Sequence, residues 1–238
     1  MGVPRRAVLS ALPAAAVALL GVSACSRGDD SLPERRVLFL GNSFTDRNGG
    51  LDTLLAGLAP RAHTERVSPG GFTLARHEAS SDSLDRLADP EGWDVVVLQE
   101  QSQTPVFSYG AFAGSLQRLA GRVRAAGARP VALETWTRPD SPGVTTRSLA
   151  GAYRSAAALS RASLAPAGEA FATSLRLRPD LVLYETDGHP TEAGSYLAAC
   201  VVLRAVYGSG PAGNGFTGDV DEDTARHLQG VAAAQPAT

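Results

Sequence analysis

Ser43 stands in Gly41-Asn42-Ser43-Phe44-Thr45, between a short apolar run and a stretch with helical periodicity. A serine at such a junction can point its hydroxyl into a crevice while the following helix N-terminus offers backbone N–H groups. A nucleophile whose substrate develops an oxyanion needs both. The serine alone is a weak signal, because Ser in a strand-to-helix turn is often just an N-cap. Near the other end, Asp187-Gly188-His189-Pro190-Thr191 precedes a second helical pattern. An imidazole that is neutral near pH 7 can take a serine proton, and a carboxylate on its other nitrogen fixes tautomer and orientation. His63, His77 and His227 lie in charged helix or loop contexts and read as structural.

These residues have to be brought together by the elements around them. Residues 36–40 (Arg-Val-Leu-Phe-Leu) form a short β-prone run ending at Gly41, and Leu51, Leu54, Leu55 and Leu58 recur at helical spacing. Residues 93–98 contain Val95-Val96-Val97, apolar on both faces as a central parallel strand requires. A helix is predicted over 112–126, with Leu116, Leu119 and Val123 on one stripe, then a strand over 130–133. An Ala-rich helix follows over 145–164, with Tyr153 and Leu159 expected in the core, and a long helix over about 192–207. Strands alternating with helices imply βαβ crossovers and a parallel sheet covered on both faces. In such sheets sites form beyond the C-terminal ends of the strands, which directs attention to the residues after Leu40, Leu98 and Leu133 and before the last long helix. The Gly/Pro-rich stretches 139–143 and 208–218 read as loops that do not divide the chain.

Four segments in this order resemble the motifs of the SGNH (GDSL-like) esterase/lipase family, from about Arg35 to Tyr207. Gly41-Asn42-Ser43-Phe44 is similar to its first motif, and Asp187…His189-Pro190 followed by Ala193-Gly194-Ser195-Tyr196-Leu197 to its last. Ser68-Pro69-Gly70-Gly71-Phe72 resembles its glycine motif, and Val96-Val97-Leu98-Gln99-Glu100-Gln101-Ser102 occupies the place of the motif with an amide side chain. The resemblance implies a three-layer αβα sandwich with a central parallel sheet, flavodoxin-like. It also implies Ser43 as nucleophile, His189 as general base and then acid, and an oxyanion hole from the N–H groups of Ser43 and Gly71 and the amide of Gln101. Glycine at 71 would let the backbone approach the reacting centre without a Cβ. This chain departs from the family pattern at three places. Asn42 replaces the frequent Asp and reads as structural. Gln101 replaces the usual Asn and adds a methylene. The acid lies two residues before His189 instead of three, with Thr186 in the usual place. Asp187 is therefore the first candidate, Glu185 the fallback and a Ser–His dyad the third option. Trp136 and Arg138, after the 130–133 strand, either shape an acyl or sugar pocket or pack and solvate. Glu100 is either a pocket acid or a carboxylate capping a backbone turn.

The N-terminus carries a different message. Arg5 and Arg6 precede an apolar stretch over 7–22 that ends in Val22-Ser23-Ala24-Cys25. Small residues before Cys resemble a bacterial lipobox, which implies a signal peptide over 1–24, lipidation of Cys25 and an extracytoplasmic protein anchored to the cell envelope; the alternative is an ordinary secretory signal cleaved near Ala24, with Cys25 free and the protein secreted. The stretch is too short and too interrupted by Pro13 and Gly21 for a membrane-spanning helix. Residues 25–34 read as a polar tether, and 35–238 as the catalytic domain. A lipidated Cys25 leaves Cys200, in an apolar helical context, as a buried free thiol.

With 22 basic and 24 acidic residues the chain has no electrostatic case for binding nucleic acid. Its 44% hydrophobic and 19% charged content is that of a globular protein. Gly208-Ser209-Gly210-Pro211-Ala212-Gly213 matches a dinucleotide fingerprint but follows a helix, so a loop is expected. Asp219, Asp221 and Asp223 have calcium-loop spacing, but Thr224 and Gly230 stand where Gly and Glu are needed; the cluster suits the N-terminus of a final helix instead. No zinc cluster and no G-x-S-x-G elbow are present, so neither a metal nor a cofactor is expected. The expected activity is hydrolysis of a small-molecule or glycan ester. The alternatives are acyl transfer by the same pair and a non-catalytic, carbohydrate-binding envelope lipoprotein.

Overall fold

The computed structural model describes residues 1–2 and 28–236. The signal, lipobox and Cys25 expectations therefore lie outside the described residues, apart from Met1 and Gly2. In chain order the elements are β1 (Arg35–Leu40), α1 (Ser43–Asp46), α2 (Leu51–Leu58), β2 (Ala62–Val67), α3 (Leu74–Ala79), α4 (Ser81–Leu87) and β3 (Val95–Gln99). They continue with α5 (Thr104–Phe107), α6 (Tyr109–Ala125), β4 (Arg129–Leu133), α7 (Thr146–Ser160), β5 (Ser163–Ala165), α8 (Ala167–Leu177), α9 (Glu192–Tyr207) and α10 (Glu222–Ala233).

The strands form one parallel sheet in the order β2-β1-β3-β4-β5. Alternation along each strand sends side chains to two separate cores. Val37, Phe39, Val95, Val97, Val131 and Leu133 face α2, α8, α9 and α10. Leu38, Leu40, Val96, Leu98 and Ala132 face α3, α4, α6 and α7. This is the expected three-layer αβα sandwich. The order reverses between β1 and β3, the position at which a doubly wound sheet opens a crevice above its strand ends.

Three local expectations are corrected. The helix predicted over 145–164 stops at Ser160, because Arg161 turns left-handed (φ +51°) and residues 163–165 pair with β4 as an edge strand. Leu159, still within α7, is on its exposed face, whereas Tyr153 is fully buried. Strand β2 escapes a periodicity reading because it is an edge strand whose Ala-His-Thr-Glu-Arg-Val sequence buries only Val67. The packed unit also begins before Arg35. Leu32 lies in the core, and the Asp29 N–H donates to the Leu58 carbonyl (2.9 Å).

The remaining features follow the sequence closely. Asp221 caps α10 by accepting from the Asp223 and Thr224 N–H groups, which accounts for that acidic cluster. Gly208 ends α9 in the left-handed region. Cys200 is a free thiol, fully buried on α9.

Candidate active site

Ser43 is the first residue of α1, just past the end of β1. Its segment is held from every side. Asn42 caps α1 by accepting the Phe44 N–H (3.1 Å), and its amide nitrogen donates to the Phe72 carbonyl (2.9 Å). Gln99, the last residue of β3, accepts the Asn42 N–H (3.0 Å) and the Thr45 hydroxyl (2.9 Å) with one oxygen. His77 is fully buried; its Nε2–H donates to the Gly41 carbonyl (2.7 Å) and its Nδ1 accepts from the Ser83 hydroxyl (2.8 Å). Burial lowers its pKa, which fits this neutral tautomer. His77 is thus structural, as expected, and the structure it supports is the serine turn.

The second half of the site is a tight hairpin closed by the bridge between Tyr184 and Pro190. The Glu185 N–H donates to the His189 carbonyl (2.8 Å) and the Gly188 N–H to the Glu185 carbonyl (2.9 Å). Gly188 sits at φ +83°, and a Cβ there would lie 2.4 Å from Arg138 Cγ. A turn followed by a left-handed glycine is a standard three-residue hairpin connection. It folds Asp187 back over His189. The Asp187 carboxylate accepts both the His189 backbone N–H (3.1 Å) and its Nδ1–H (2.8 Å). These two bonds hold the Asp187 carboxyl below the usual carboxylate range. On the other side of the ring, His189 Nε2 accepts from Ser43 Oγ at 2.9 Å. A residue pair 146 positions apart is thereby joined to an acid two positions away. The Glu185 main chain takes part in the hairpin, and the residue lines a groove with Asn48, Glu192 and Asp221.

Two residues lock the halves together. Trp136 is sandwiched between Phe44 (centroids 4.9 Å apart, planes at 11°) and Phe171 (4.2 Å, 5°), and its indole N–H donates to the Gly188 carbonyl (3.0 Å). It is only 2% exposed, so it is a packing residue and not a pocket wall; it supports the serine helix and the histidine hairpin at once. Asn48, left-handed at φ +54°, donates from its amide to the Pro190 carbonyl and the Ser195 hydroxyl (both 2.9 Å). Neither Gln99 nor Asn48 is singled out by sequence motifs. The available signals were a polar residue closing the apolar run of β3, and Asn48-Gly49-Gly50 as a turn.

The expected oxyanion donors fall on neighbouring strand ends. The backbone N–H groups of Ser43 and Gly71 have no acceptor among the described residues. A Cβ at Gly71 would meet no protein atom within 4 Å; glycine is required there by its φ of +68° and not by close approach of the protein. The extra methylene of Gln101 lets its amide oxygen fold back onto the Gln103 N–H (2.9 Å) and Thr104 N–H (3.2 Å) at the start of α5. Its amide nitrogen donates to Ser102 Oγ (3.3 Å) and keeps a second N–H.

Glu100 is not a pocket acid. It is 1% exposed, and its oxygens accept the Gln101 N–H (2.6 Å) and the Leu74 N–H (3.3 Å to each). Burial pushes its pKa up to about 7. Arg138 stays at the rim, forked onto Asp140 and donating to Ser102 Oγ (3.3 Å), with its stem against Gly188.

No family model matches the sequence, and no curated protein matches it. Solved structures do. A protein from Slackia heliotrinireducens assigned to the SGNH hydrolases is 33% identical over 72% of this chain and 98% of its own, with a TM-score of 0.62. A DUF4886 family protein from Bacteroides uniformis shares the fold at 20% identity (84% and 94% covered, TM-score 0.69). So does an acetylxylan esterase from Geobacillus stearothermophilus at 15% (72% and 94% covered, TM-score 0.57).

Proposed function

The chain belongs to the SGNH hydrolase family, and from that premise we propose that it is a serine esterase acting through Ser43, His189 and Asp187. The observation that carries this reading is the unbroken hydrogen-bond chain from Ser43 Oγ through the imidazole (2.9 Å) to the Asp187 carboxylate (2.8 Å). His189 Nε2 takes the hydroxyl proton as Oγ attacks the ester carbonyl carbon, and Asp187 stabilises the imidazolium that forms. The N–H groups of Ser43 and Gly71 and the free amide N–H of Gln101 receive the charge on the carbonyl oxygen. When the tetrahedral species collapses, His189 returns the proton to the departing alcohol. Water, deprotonated by the same imidazole, then attacks the acyl-Ser43 carbonyl, and His189 returns that proton to Ser43 Oγ as the acid leaves. A second alcohol in place of that water would make the reaction an acyl transfer.

The substrate we assign is a small acyl ester, with an O-acetylated carbohydrate preferred. An acetylxylan esterase among the proteins of this fold supports that choice, and so does Arg138 at the rim as a polar contact for a hydroxylated substrate. The short spacing between acid and histidine was the reason to entertain a non-catalytic binding protein; the Asp187 contact with Nδ1 argues against it. Ser43→Ala, compared with the wild type on p-nitrophenyl acetate and acetylated xylo-oligosaccharides, is expected to lose at least about a thousandfold in kcat. Equal activity of the two proteins would overturn the proposal, and glycan binding without turnover by either would favour the binding protein. We further propose an extracytoplasmic location with a lipid on Cys25. Intact-mass measurement of membrane-extracted protein should find a diacyl or triacyl adduct there, and an unmodified Cys25 would remove the anchor.

A further inference from the structure

Three consecutive side chains at the end of β3 each touch a different part of the proposed oxyanion hole. Gln99 holds the serine turn through the Asn42 N–H and the Thr45 hydroxyl. Gln101 is itself a proposed donor. Glu100, between them, points the other way from Gln99. Both of its oxygens accept the N–H of Leu74, the first residue of α3 and three positions after Gly71. One oxygen also accepts the backbone N–H of Gln101. The carbonyl of Phe72, the residue next to Gly71, is held separately by the Asn42 amide.

We propose that Glu100 is a positioning residue of the esterase: its carboxylate spans from the Gly71 turn to the Gln101 backbone and sets the spacing of two oxyanion donors that lie on different loops. This rests on the serine-esterase reading of the site. Glu100 is buried, so it acts through its neighbours and not on the substrate. A full carboxylate suits the task chemically. Its two oxygens serve two N–H groups, Leu74 on both oxygens and Gln101 on one. A glutamine whose oxygen keeps the Oε1 contacts to Gln101 and Leu74 replaces the second Leu74 acceptor by an NH2 group, donor against donor, and pushes that N–H away. Residues that fill space need neither the charge nor the second oxygen. The structure also explains why a buried acid is retained in a loop where an amide or a hydrophobe would cost less desolvation.

The test compares wild type, Glu100→Gln, Glu100→Asp and Ser43→Ala on p-nitrophenyl acetate. It also measures inhibition by phenylboronic acid, which forms a tetrahedral adduct on the serine, and thermal melting. A displaced donor weakens the transition state more than the ground state. Glu100→Gln is therefore expected to lose about tenfold or more in kcat with KM little changed, and its boronate Ki should rise by a similar factor. Glu100→Asp, which keeps the charge but shortens the reach, should fall between that variant and wild type. A wild-type kcat in Glu100→Gln, or a loss of kcat without a rise in Ki, overturns the positioning role while leaving the esterase intact. If Ser43→Ala matches wild type, it is the esterase reading that fails. If Glu100→Gln does not fold, Glu100→Asp is judged by the same kcat and Ki criteria. Unfolding of both assigns the carboxylate to folding and overturns the proposal.

Discussion

At the scale of single residues, the acid two positions before the histidine is the chain's main departure from its family pattern, and the hairpin shows how it is accommodated. Gly188 in the left-handed region turns the chain so that Asp187 accepts from His189 twice, through backbone and ring. The first bond fixes the carboxylate and the second fixes the imidazole tautomer. If Asp187 orients His189, then Asp187→Asn should lower kcat by about a hundredfold or more, since an amide can present its N–H and favour the wrong tautomer. Glu185→Gln should stay within about twofold of wild type, because only its main chain enters the hairpin. Steady-state kinetics on one p-nitrophenyl ester decides between them; the reverse ranking would move the acid to Glu185. The depressed Asp187 carboxyl adds a sign to this. Its bonds to His189 contribute stability above the ordinary carboxylate range, and that contribution is lost as pH falls through its folded value.

At the scale of elements, the question is what joins two segments that start 146 residues apart. Strand β1 delivers Ser43, and the hairpin entering α9 delivers His189. They meet because α9 packs on the sheet face beside α2, so the loop between α1 and α2 lies over the start of α9. Asn48 closes that contact with two hydrogen bonds. Asn48→Ala removes both and relieves the left-handed residue of a side chain that tolerates it. The expected result is a severalfold fall in kcat with KM nearly unchanged, together with a lower melting temperature. An unchanged kcat would show that Trp136 alone holds the halves in register. Much of this level was legible in the sequence. Val95-Val96-Val97 marks a doubly buried strand, and the leucine stripes mark α2 and α6. The parts that were not legible have physical causes. Strand β2 is an edge strand with one buried residue, and β5 is three residues long and continues the composition of α7. Trp136 read equally well as pocket or packing, because its two stacking partners lie 92 and 35 positions away in the chain.

At the scale of the whole molecule, the doubly wound sheet gathers polar residues at its strand ends and then covers some of them. Glu100 and Glu134, just past β3 and β4, are both carboxyls taken out of water. Sequence motifs marked the crevice but not this cost, since burial at the strand ends depends on how α7 and α8 close over them. Burial pushes Glu134 up to about 8, with Glu169 adding to the rise and Arg154 opposing it. A carboxyl whose folded pKa exceeds its unfolded one binds more protons in the native state between the two values. The unfolding free energy then falls as pH rises from about 4.5 to about 8. His77 works in the opposite sense: lowered by burial, it favours the fold as pH rises up to the ordinary histidine range. These effects, with that of Glu100, overlap in the wild-type melting curve, so a difference between proteins isolates Glu134. Glu134→Gln cannot ionise and is free of the burial cost of the charge. Its melting temperature relative to wild type should increase from pH 5 to pH 8, with most of the increase below about pH 7 and a flattening as the folded value of about 8 is reached. A difference that is constant across this range would show that the folded Glu134 is not raised above its unfolded value, and one that shrinks as pH rises would show that it is stabilised as a carboxylate in the fold.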